Sequence, residues 1–238
     1  MSKHKNTHVI GRRVFLKLAG MVALVVGFPA SARAFFIKKF PVRSVERNDW
    51  VFDPASGQIT FPDGSPESFV LTVDGLVEQP ASMTYQDLRN IPQEEQVNDF
   101  HCVEGWSVAD LRWGGFRFSQ IISRVKPRPE AKFAVFHALG KTGSRPGGMD
   151  HYVESFPLKR LLDPKAEIIL ALDLNGAPIP HEHGSPLRLL SPYDLAYKSI
   201  KFVHRIEFTD KQQPGWWTLA NPIYPMDAPV PKDRLRNK

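Results

Sequence analysis

The chain has 238 residues and a mass of 26.9 kDa, and its 42% hydrophobic and 24% charged residues are typical of a globular protein. Its formal net charge is +6, but residues 1–34 hold six Lys and Arg and no Asp or Glu. Removing those six from the 31 basic residues leaves 25, which balance the 25 acidic residues. A basic surface for nucleic acid is therefore excluded, and we expect no nucleic-acid partner.

Residues 1–34 have the layout of an export signal. A charged region leads into an apolar run at 18–28, too short to anchor in a bilayer, and Ala32-Arg33-Ala34 fits a cleavage site. The pair Arg12-Arg13, followed by VFLK, is close to the twin-arginine pattern, with Gly11 where Ser or Thr is usual. The sequence predicts export to the periplasm by the twin-arginine route. An ordinary secretion signal or an uncleaved anchor is the alternative.

The rest of the chain alternates short strand-like and helix-like segments, which favours an α+β fold. Residues 35–66 lack periodicity and are predicted to be an extended arm, and 67–238 a single domain. In chain order, the predicted elements are a strand at 68–73, a short helix capped by Thr84, a strand at 97–103, a short helix from Ser107 toward Trp113, a helix at 118–125, a strand at 132–139, a surface loop at 140–150, a helix at 156–163, a strand at 166–174, a turn at Asn175-Gly176 and a last strand at 199–210.

Cys102 is the only cysteine, so it cannot form an internal disulfide. A lone thiol is an inert core residue, a nucleophile activated by histidine, or a ligand for a soft metal. The sequence HEH at 181–183 raises the further alternative of zinc, although no third ligand is evident. The residues alone do not decide among these alternatives.

Three segments together form a recognisable pattern: HCVEGWS (101–107), LNGAPIPHEHGSPLRLLSP (174–192) and YKSIKFVHRIEF (197–208). With the export signal, they resemble the sulfite oxidase family of molybdopterin-dependent oxidoreductases. The similarity is greatest to its short, bacterial, exported members, including the periplasmic protein-methionine-sulfoxide reductase type, and it covers roughly residues 68–224. It is specific at Cys102 and in the 174–208 block.

The resemblance implies a sulfite-oxidase-type molybdopterin-binding domain built of mixed sheets with short helices. It also implies a Mo-molybdopterin cofactor whose molybdenum is bound by the Cys102 thiolate, a soft ligand. Arg188 would grip the phosphate end of the cofactor with its planar fork. The complete set of cofactor-binding residues that it implies is His101, Cys102, His137, His183, Arg188, Ser199 and Lys201.

As a function, the resemblance implies two-electron oxygen-atom transfer on a sulfoxide, sulfite or a similar oxo compound. Neither a haem motif nor a cysteine cluster is present in the sequence. Electrons would therefore pass to or from an external partner, a membrane haem protein or a soluble cytochrome, and a monomer is expected. Arg112, Arg117 and Arg145 are candidates to hold a sulfite oxyanion. The alternative function is a non-catalytic exported binding or scaffold protein that retains the fold without metal.

Overall fold

The computed structural model of the protein describes residues 44–236, and the predicted export signal lies outside the described residues. Residues 44–236 form thirteen strands and four short α-helices. They belong to one compact unit, residues 42–238. The strands are β1 (Val51–Asp53), β2 (Gln58–Thr60), β3 (Pro66–Ser68), β4 (Val70–Gly75), β5 (Ala81–Thr84), β6 (Glu94–His101), β7 (Ser107–Arg117), β8 (Phe133–Ala138), β9 (Val153–Pro157), β10 (Ile169–Leu174), β11 (Ala177–Pro178), β12 (Arg188–Leu190) and β13 (Val203–Thr209). The helices are α1 (Tyr85–Arg89), α2 (Ser119–Val125), α3 (Leu158–Leu161) and α4 (Trp216–Ala220).

The strands form two five-stranded sheets and one small sheet. The first large sheet has the order β5-β4-β13-β8-β9, in which only the β4–β13 pair is parallel. The second has the order β11-β10-β7-β6, with β12 also paired to β10, and is antiparallel throughout. β1, β2 and β3 form the small sheet. Mixed sheets with a few short helices confirm the predicted α+β fold class.

The main core is shared by both large sheets. Phe118, at the end of β7, stacks on Phe208 of β13 with 5.9 Å between ring centroids and lies 5.8 Å from Phe136 of β8. In β10 the central residues are buried on both faces, as expected for a continuous apolar run between covering layers. Burial of these side chains is the main stabilising contribution to the fold.

Most predicted elements are confirmed. Thr84 caps α1 in a capping box with Asp87, whose backbone N–H donates to the Thr84 hydroxyl at 3.2 Å. The strand predicted at 97–103 is the end of β6, and Cys102 follows its last residue. Asn175 and Gly176 form the turn between β10 and β11, both with positive φ.

Two local predictions are wrong. The helix predicted from Ser107 is instead strand β7, which continues to Arg117. The described part of residues 35–66, predicted to be an extended arm, instead contains β1 and β2 and contributes Trp50, Phe52 and Ile59 to the core. After the last predicted strand, the chain forms one further helix, α4. No helix among residues 44–236 has the length and apolar character to cross a membrane.

Candidate functional site

Cys102 lies in the turn of the β6–β7 hairpin, here called the cysteine hairpin (94–117). Its backbone N–H donates to the carbonyl of Trp106 at 2.9 Å, and its carbonyl accepts from the N–H of Gly105 at 3.1 Å. Gly105 has φ +95°, a conformation that glycine adopts without strain. Cys102 is partly exposed and directly follows the last residue of β6. This placement suits a ligand better than an inert core cysteine.

Arg188, on β12, is the most deeply buried cation of the predicted site. Its Nη1 donates to the carbonyl of His183 at 2.7 Å and its Nη2 to the carbonyl of Ser199 at 2.8 Å. The third donor group, Nε, is buried and has no hydrogen-bond partner within residues 44–236. Burial lowers the pKa of Arg188 to about 10, an effect that the charge of Glu46 partly offsets.

Lys201 is a second, partly buried cation beside Arg188. Its Nζ donates to the carbonyl of Glu182 at 3.4 Å, and burial lowers its pKa to about 8. Among residues 44–236, neither Lys201 nor Arg188 forms an ion pair. The charge of Glu46 favours the protonated form of both residues, but no carboxylate in this part of the chain lies within ion-pair distance of either, and two such cations favour the binding of an anion.

The segment between Arg188 and Lys201 forms a cradle held by main-chain and hydroxyl contacts. The Ser199 hydroxyl accepts from the backbone N–H of Ser191 at 2.9 Å, so this hydroxyl is engaged inside the protein. On the other side, Gly184 contacts Lys201 closely, since a Cβ at this glycine would lie 2.8 Å from the Lys201 Cβ. Ser199, His183 and Lys201 are thus brought together around Arg188.

An aromatic contact links the cradle to the cysteine hairpin. The Arg188 guanidinium carbon lies 5.2 Å from the ring centroid of Phe100 on β6 and 5.1 Å from that of Trp113 on β7. Phe100 is two residues before Cys102. Arg188 therefore contacts the cysteine hairpin at Phe100 and Trp113, although these residues are far from it in the sequence.

His101 and His137 have different surroundings. His101 is buried, with its Nδ1 hydrogen-bonded to the Ser107 hydroxyl at 2.8 Å, and its pKa is lowered by burial and by Arg234 and Arg236. The hydrogen-bond partner of the His101 ring therefore belongs to the cysteine hairpin itself.

His137, on β8, belongs to a chain of hydrogen-bonded side chains separate from the Arg188 cradle. Its Nδ1 is 2.9 Å from His151 Nε2 and its Nε2 is 3.3 Å from Glu207, while His151 Nδ1 is 3.0 Å from Asp150. Burial, more than the nearby Arg205, His151 and His204, lowers the pKa of His137 to about 3. The structure does not join His137 to Arg188 by any contact within residues 44–236.

HEH at 181–183 is a single 3-10 turn, in which His181 contacts the segment before β1. Its Nε2 is 2.8 Å from the carbonyl of Asn48, and its ring meets that of Trp50 edge to face at 4.5 Å. Across the described part of the chain, no group of three His, Cys, Asp or Glu residues is arranged to hold a metal ion. This geometry gives no support to a zinc site.

Sequence reasoning missed a second set of residues that contact the site. Residues 228–236, here called the C-terminal strap, reach the cysteine hairpin through Arg234, which donates to the carbonyls of Cys102 and Trp106. Phe100 and Trp113, which flank Arg188, were also missed. No local pattern marks these residues, because each acts through a contact with a distant part of the chain.

A partly exposed cysteine, a buried arginine with an unused donor and a partly buried lysine suit a soft metal carried by an anionic cofactor. The family model described as the oxidoreductase molybdopterin binding domain matches residues 58–217. The chain therefore belongs to this family of molybdopterin-dependent oxidoreductases, whose cofactor is Mo-molybdopterin. The donor set of Cys102, Arg188 and Lys201 fits that cofactor.

Two known proteins show how the chain relates to this family. It is 32% identical over 163 residues to the protein-methionine-sulfoxide reductase catalytic subunit MsrP of Ralstonia nicotianae, covering 66% of this chain and 48% of that protein. Its fold is similar to that of the sulfane dehydrogenase SoxCD from Paracoccus pantotrophus, with a TM-score of 0.53 and 20% identity over 78% of this chain and 54% of that one. The chain thus spans about half the length of each.

Proposed function

We propose that this protein is an exported molybdopterin-dependent oxidoreductase that reduces sulfoxides by two-electron oxygen-atom transfer at a metal bound by Cys102. The observation that carries the proposal is the contact of the buried, unpaired Arg188 with Phe100, two residues before Cys102 on the same strand. It connects a soft ligand with an anion-binding cradle. The similarity to a protein-methionine-sulfoxide reductase catalytic subunit supports the substrate class.

In this proposal, each residue of the cradle has a distinct task. Arg188 offers its unused Nε–H, and Lys201 a compact positive charge, to the phosphate end of the cofactor. The residues predicted to contact the cofactor also include His101, His137, His183 and Ser199. When bound, the cofactor supplies two-electron oxygen-atom transfer, and the protein supplies the ligand, the orientation and the electrostatics.

The overall reaction consumes a sulfoxide, two protons and two electrons and yields a sulfide and water. The electrons would come from an external redox partner, either a membrane haem protein or a soluble cytochrome. Export by the twin-arginine route would place the protein in the periplasm. We propose that the protein works there as a monomer with respect to its own chain.

Sulfite oxidation is less well supported, because two of the three candidate oxyanion-binding arginines, Arg112 and Arg117, lie on β7 away from the cysteine turn. The third, Arg145, lies outside the hairpin in the 140–150 loop. Arg117 is at the far end of β7 from the cysteine turn, roughly 30 Å along an extended strand, and its Nε donates to Glu94 at 2.7 Å. Arg112 lies about halfway, with its backbone N–H bonded to Asn175. Neither residue supports an oxyanion site at Cys102.

The alternative of a metal-free scaffold would remove the need for buried, unpaired cations. A protein that had lost its cofactor would gain stability by replacing Arg188 with an apolar residue, because burial of an unpaired charge is costly. Both Arg188 and the thiol of Cys102 are present, which favours the enzyme.

The proposal is tested by the molybdenum and pterin content of the protein purified from a cofactor-producing host, beside a Cys102→Ser variant. We expect near-equimolar molybdenum and fluorescent pterin in the wild type, and at least about a hundredfold loss of sulfoxide reduction in the variant, because a hydroxyl is a poor soft-metal ligand. Assays with a protein-bound sulfoxide, a small sulfoxide and sulfite identify the substrate.

Val103→Ala is the matched control, because Val103 is the neighbouring exposed residue of the same turn and carries no ligand atom in its side chain. Its metal content should equal that of the wild type. A folded wild type without molybdenum or pterin would reject the enzyme in favour of the scaffold. Full activity of Cys102→Ser would reject the thiolate ligand.

A further inference from the structure

The C-terminal strap contacts both halves of the candidate site. At its start, it lies beside residues 193–195, which belong to the Arg188 cradle. The carbonyl of Ala228 accepts from the backbone N–H of Leu195 at 2.8 Å, and the N–H of Val230 donates to the carbonyl of Tyr193 at 2.9 Å. The side chains of Ala228 and Val230 are buried, so this end of the strap is firmly packed.

The cradle is linked to this anchor by short polar contacts. Asp194, opposite Pro229 of the strap, accepts from the Ser191 hydroxyl at 2.6 Å. Ser191 in turn donates its backbone N–H to Ser199, whose carbonyl accepts from Arg188. The position of the strap and the position of the cradle are therefore coupled.

The other end of the strap contacts the turn that carries Cys102. Arg234 donates from Nη1 to the carbonyl of Cys102 at 2.9 Å, and from Nη2 to the carbonyl of Trp106 at 2.8 Å and the Ser107 hydroxyl at 3.0 Å. Three acceptors around one planar group match the fork of a guanidinium, and a lysine ammonium cannot reproduce them from one position.

Arg236 fixes the same hairpin further from its tip. It pairs with Asp99 and with Asp110, whose nearest oxygen is 2.7 Å from Nη2. These two carboxylates lie on opposite strands, beside the register shift between Asn98 and Phe100. The strap thus spans both strands of the cysteine hairpin as well as the cradle segment.

We propose that the C-terminal strap holds the cysteine hairpin in register with the Arg188 cradle, and that Arg234 is a positioning residue for Cys102. The inference rests on the proposed function only in assigning a metal to the thiol. The geometric part, that Arg234 restrains the turn at Cys102, can be tested on the protein without cofactor.

The first test uses the single cysteine, since a thiol reagent reports on Cys102 alone. Apoprotein from a host that lacks the cofactor is treated with a disulfide reagent such as DTNB, and the labelling rate is measured for the wild type and Arg234→Lys. The lysine keeps a positive charge near the turn at Cys102 and removes only the fork. We expect labelling about tenfold faster in Arg234→Lys, because the turn opens more often when two or three charge-assisted hydrogen bonds are lost.

Arg124→Lys is the matched control, because Arg124 also donates to a main-chain carbonyl, that of Gln120, but lies on helix α2. It should label at the wild-type rate. Equal rates in wild type and Arg234→Lys would overturn the proposal. Equal acceleration in Arg124→Lys would also overturn it, because the effect would then be general loosening.

Amide hydrogen exchange gives a second, independent reading in the same apoproteins. In Arg234→Lys we expect about tenfold faster exchange at the N–H groups of Cys102 and Gly105 and unchanged exchange in β8 and β13. Unchanged exchange in the turn would contradict the restraint.

In the cofactor-loaded protein, the visible absorption of the metal–thiolate bond should shift in Arg234→Lys while the molybdenum content remains near that of the wild type. An identical spectrum would reject the positioning role. If no molybdenum is bound at all, the proposed function fails, and the labelling and exchange results still decide whether the strap restrains the turn.

Discussion

Two deeply buried cations, Lys198 and Arg188, and the partly buried Lys201 show the difference between a structural charge and a charge available to a ligand. The Nζ of Lys198 is 2.5 Å from Glu154 and donates to the carbonyl of Ser155, so its charge is neutralised inside the protein. Within residues 44–236, the hydrogen bonds and ring contacts of Arg188 and Lys201 go to carbonyl oxygens and aromatic rings, and neither residue forms an ion pair. Because a buried charge is costly unless it is paired, these two residues are the ones expected to gain most from an anionic cofactor.

The buried His137 predicts how the free energy of unfolding depends on pH. Its pKa is about 3 in the folded protein, against 6.5 for an ordinary histidine, and burial is the main cause. Between these values the unfolded chain binds a proton that the folded protein does not, so stability is full above pH 6.5 and falls as the pH is lowered. We expect the free energy of unfolding to decrease by about 1 kcal/mol from this residue between pH 6.5 and 5.5.

The measurement is urea unfolding at pH 7.5, 6.5 and 5.5 for the wild type and His137→Gln. In His137→Gln, the free energy of unfolding should decrease less steeply with falling pH. In His151→Gln, which changes the more exposed of the two hydrogen-bonded histidines, it should keep the steeper decrease. If the contact with Glu207 outweighed burial, the pKa of His137 would be raised. The wild type would then become more stable relative to His137→Gln as the pH falls, which would contradict the prediction.

Single residues of the site could be predicted where the family motif includes them. Cys102, Arg188 and Lys201 stand in such motifs, and the structure places Arg188 and Lys201 together. Phe100 and Arg234 could not be predicted, because an aromatic residue in a strand and an arginine near a chain end are common and local sequence does not record their partners. Their importance follows only from tertiary contacts.

At the scale of elements, the mispredicted helix shows how tertiary partners override a local signal. Ser107 and Asp110 have the spacing of a helix cap, but in the structure the Ser107 hydroxyl bonds His101 and Arg234. Asp110 has φ +57° and pairs with Arg236. The polar groups that would satisfy a helix terminus are thus used to fasten a hairpin, and the chain continues as β7.

Gly184 lies in the turn that shapes the cradle, and its surroundings predict the effect of adding a side chain there. Its φ is +108°, and a Cβ there would lie 2.8 Å from the Cβ and 3.1 Å from the Cα of Lys201. The Cα belongs to the main chain, so it cannot move aside cheaply. We expect Gly184→Ala to lower the free energy of unfolding by about 2 kcal/mol and to reduce the pterin content, because Lys201 is displaced.

Gly143→Ala is the comparison, since a Cβ at Gly143 meets nothing within 4 Å. Its stability should stay within about 0.5 kcal/mol of the wild type. Urea unfolding and pterin fluorescence measure the two variants side by side. A Gly184→Ala protein with wild-type stability and pterin content would show that the turn tolerates a side chain and does not set the position of Lys201.

At the scale of the whole molecule, the fold class was predictable and the sheet order was not. Alternating short elements and the family motifs indicated an α+β domain. Nothing local indicates that β4 pairs in parallel with β13, with Thr72 opposite Arg205, since these strands are separated by most of the domain. Pairings of high sequence separation depend on the global packing of the core.

The distribution of charge along the whole chain leads to a prediction about export. Every excess positive charge lies in residues 1–34, and the remaining 204 residues (238 − 34) are formally neutral. A twin-arginine signal is recognised as an address, so it should depend on the arginine pair itself and not only on its charge. Arg12→Lys with Arg13→Lys keeps the net charge and the apolar run at 18–28, yet we expect about a tenfold or greater fall in periplasmic protein.

The test is an immunoblot of periplasmic and cytoplasmic fractions, with N-terminal sequencing of the exported form, which should begin at Phe35. Lys3→Arg with Lys5→Arg is the control, because it makes the reverse change of the same size outside the pair, and its export should match the wild type. Because the twin-arginine route carries folded proteins, the retained Lys-Lys variant should hold molybdenum and pterin in the cytoplasm. Equal export of the Lys-Lys variant would instead identify an ordinary secretion signal, and insertion of the cofactor before export would lose its support.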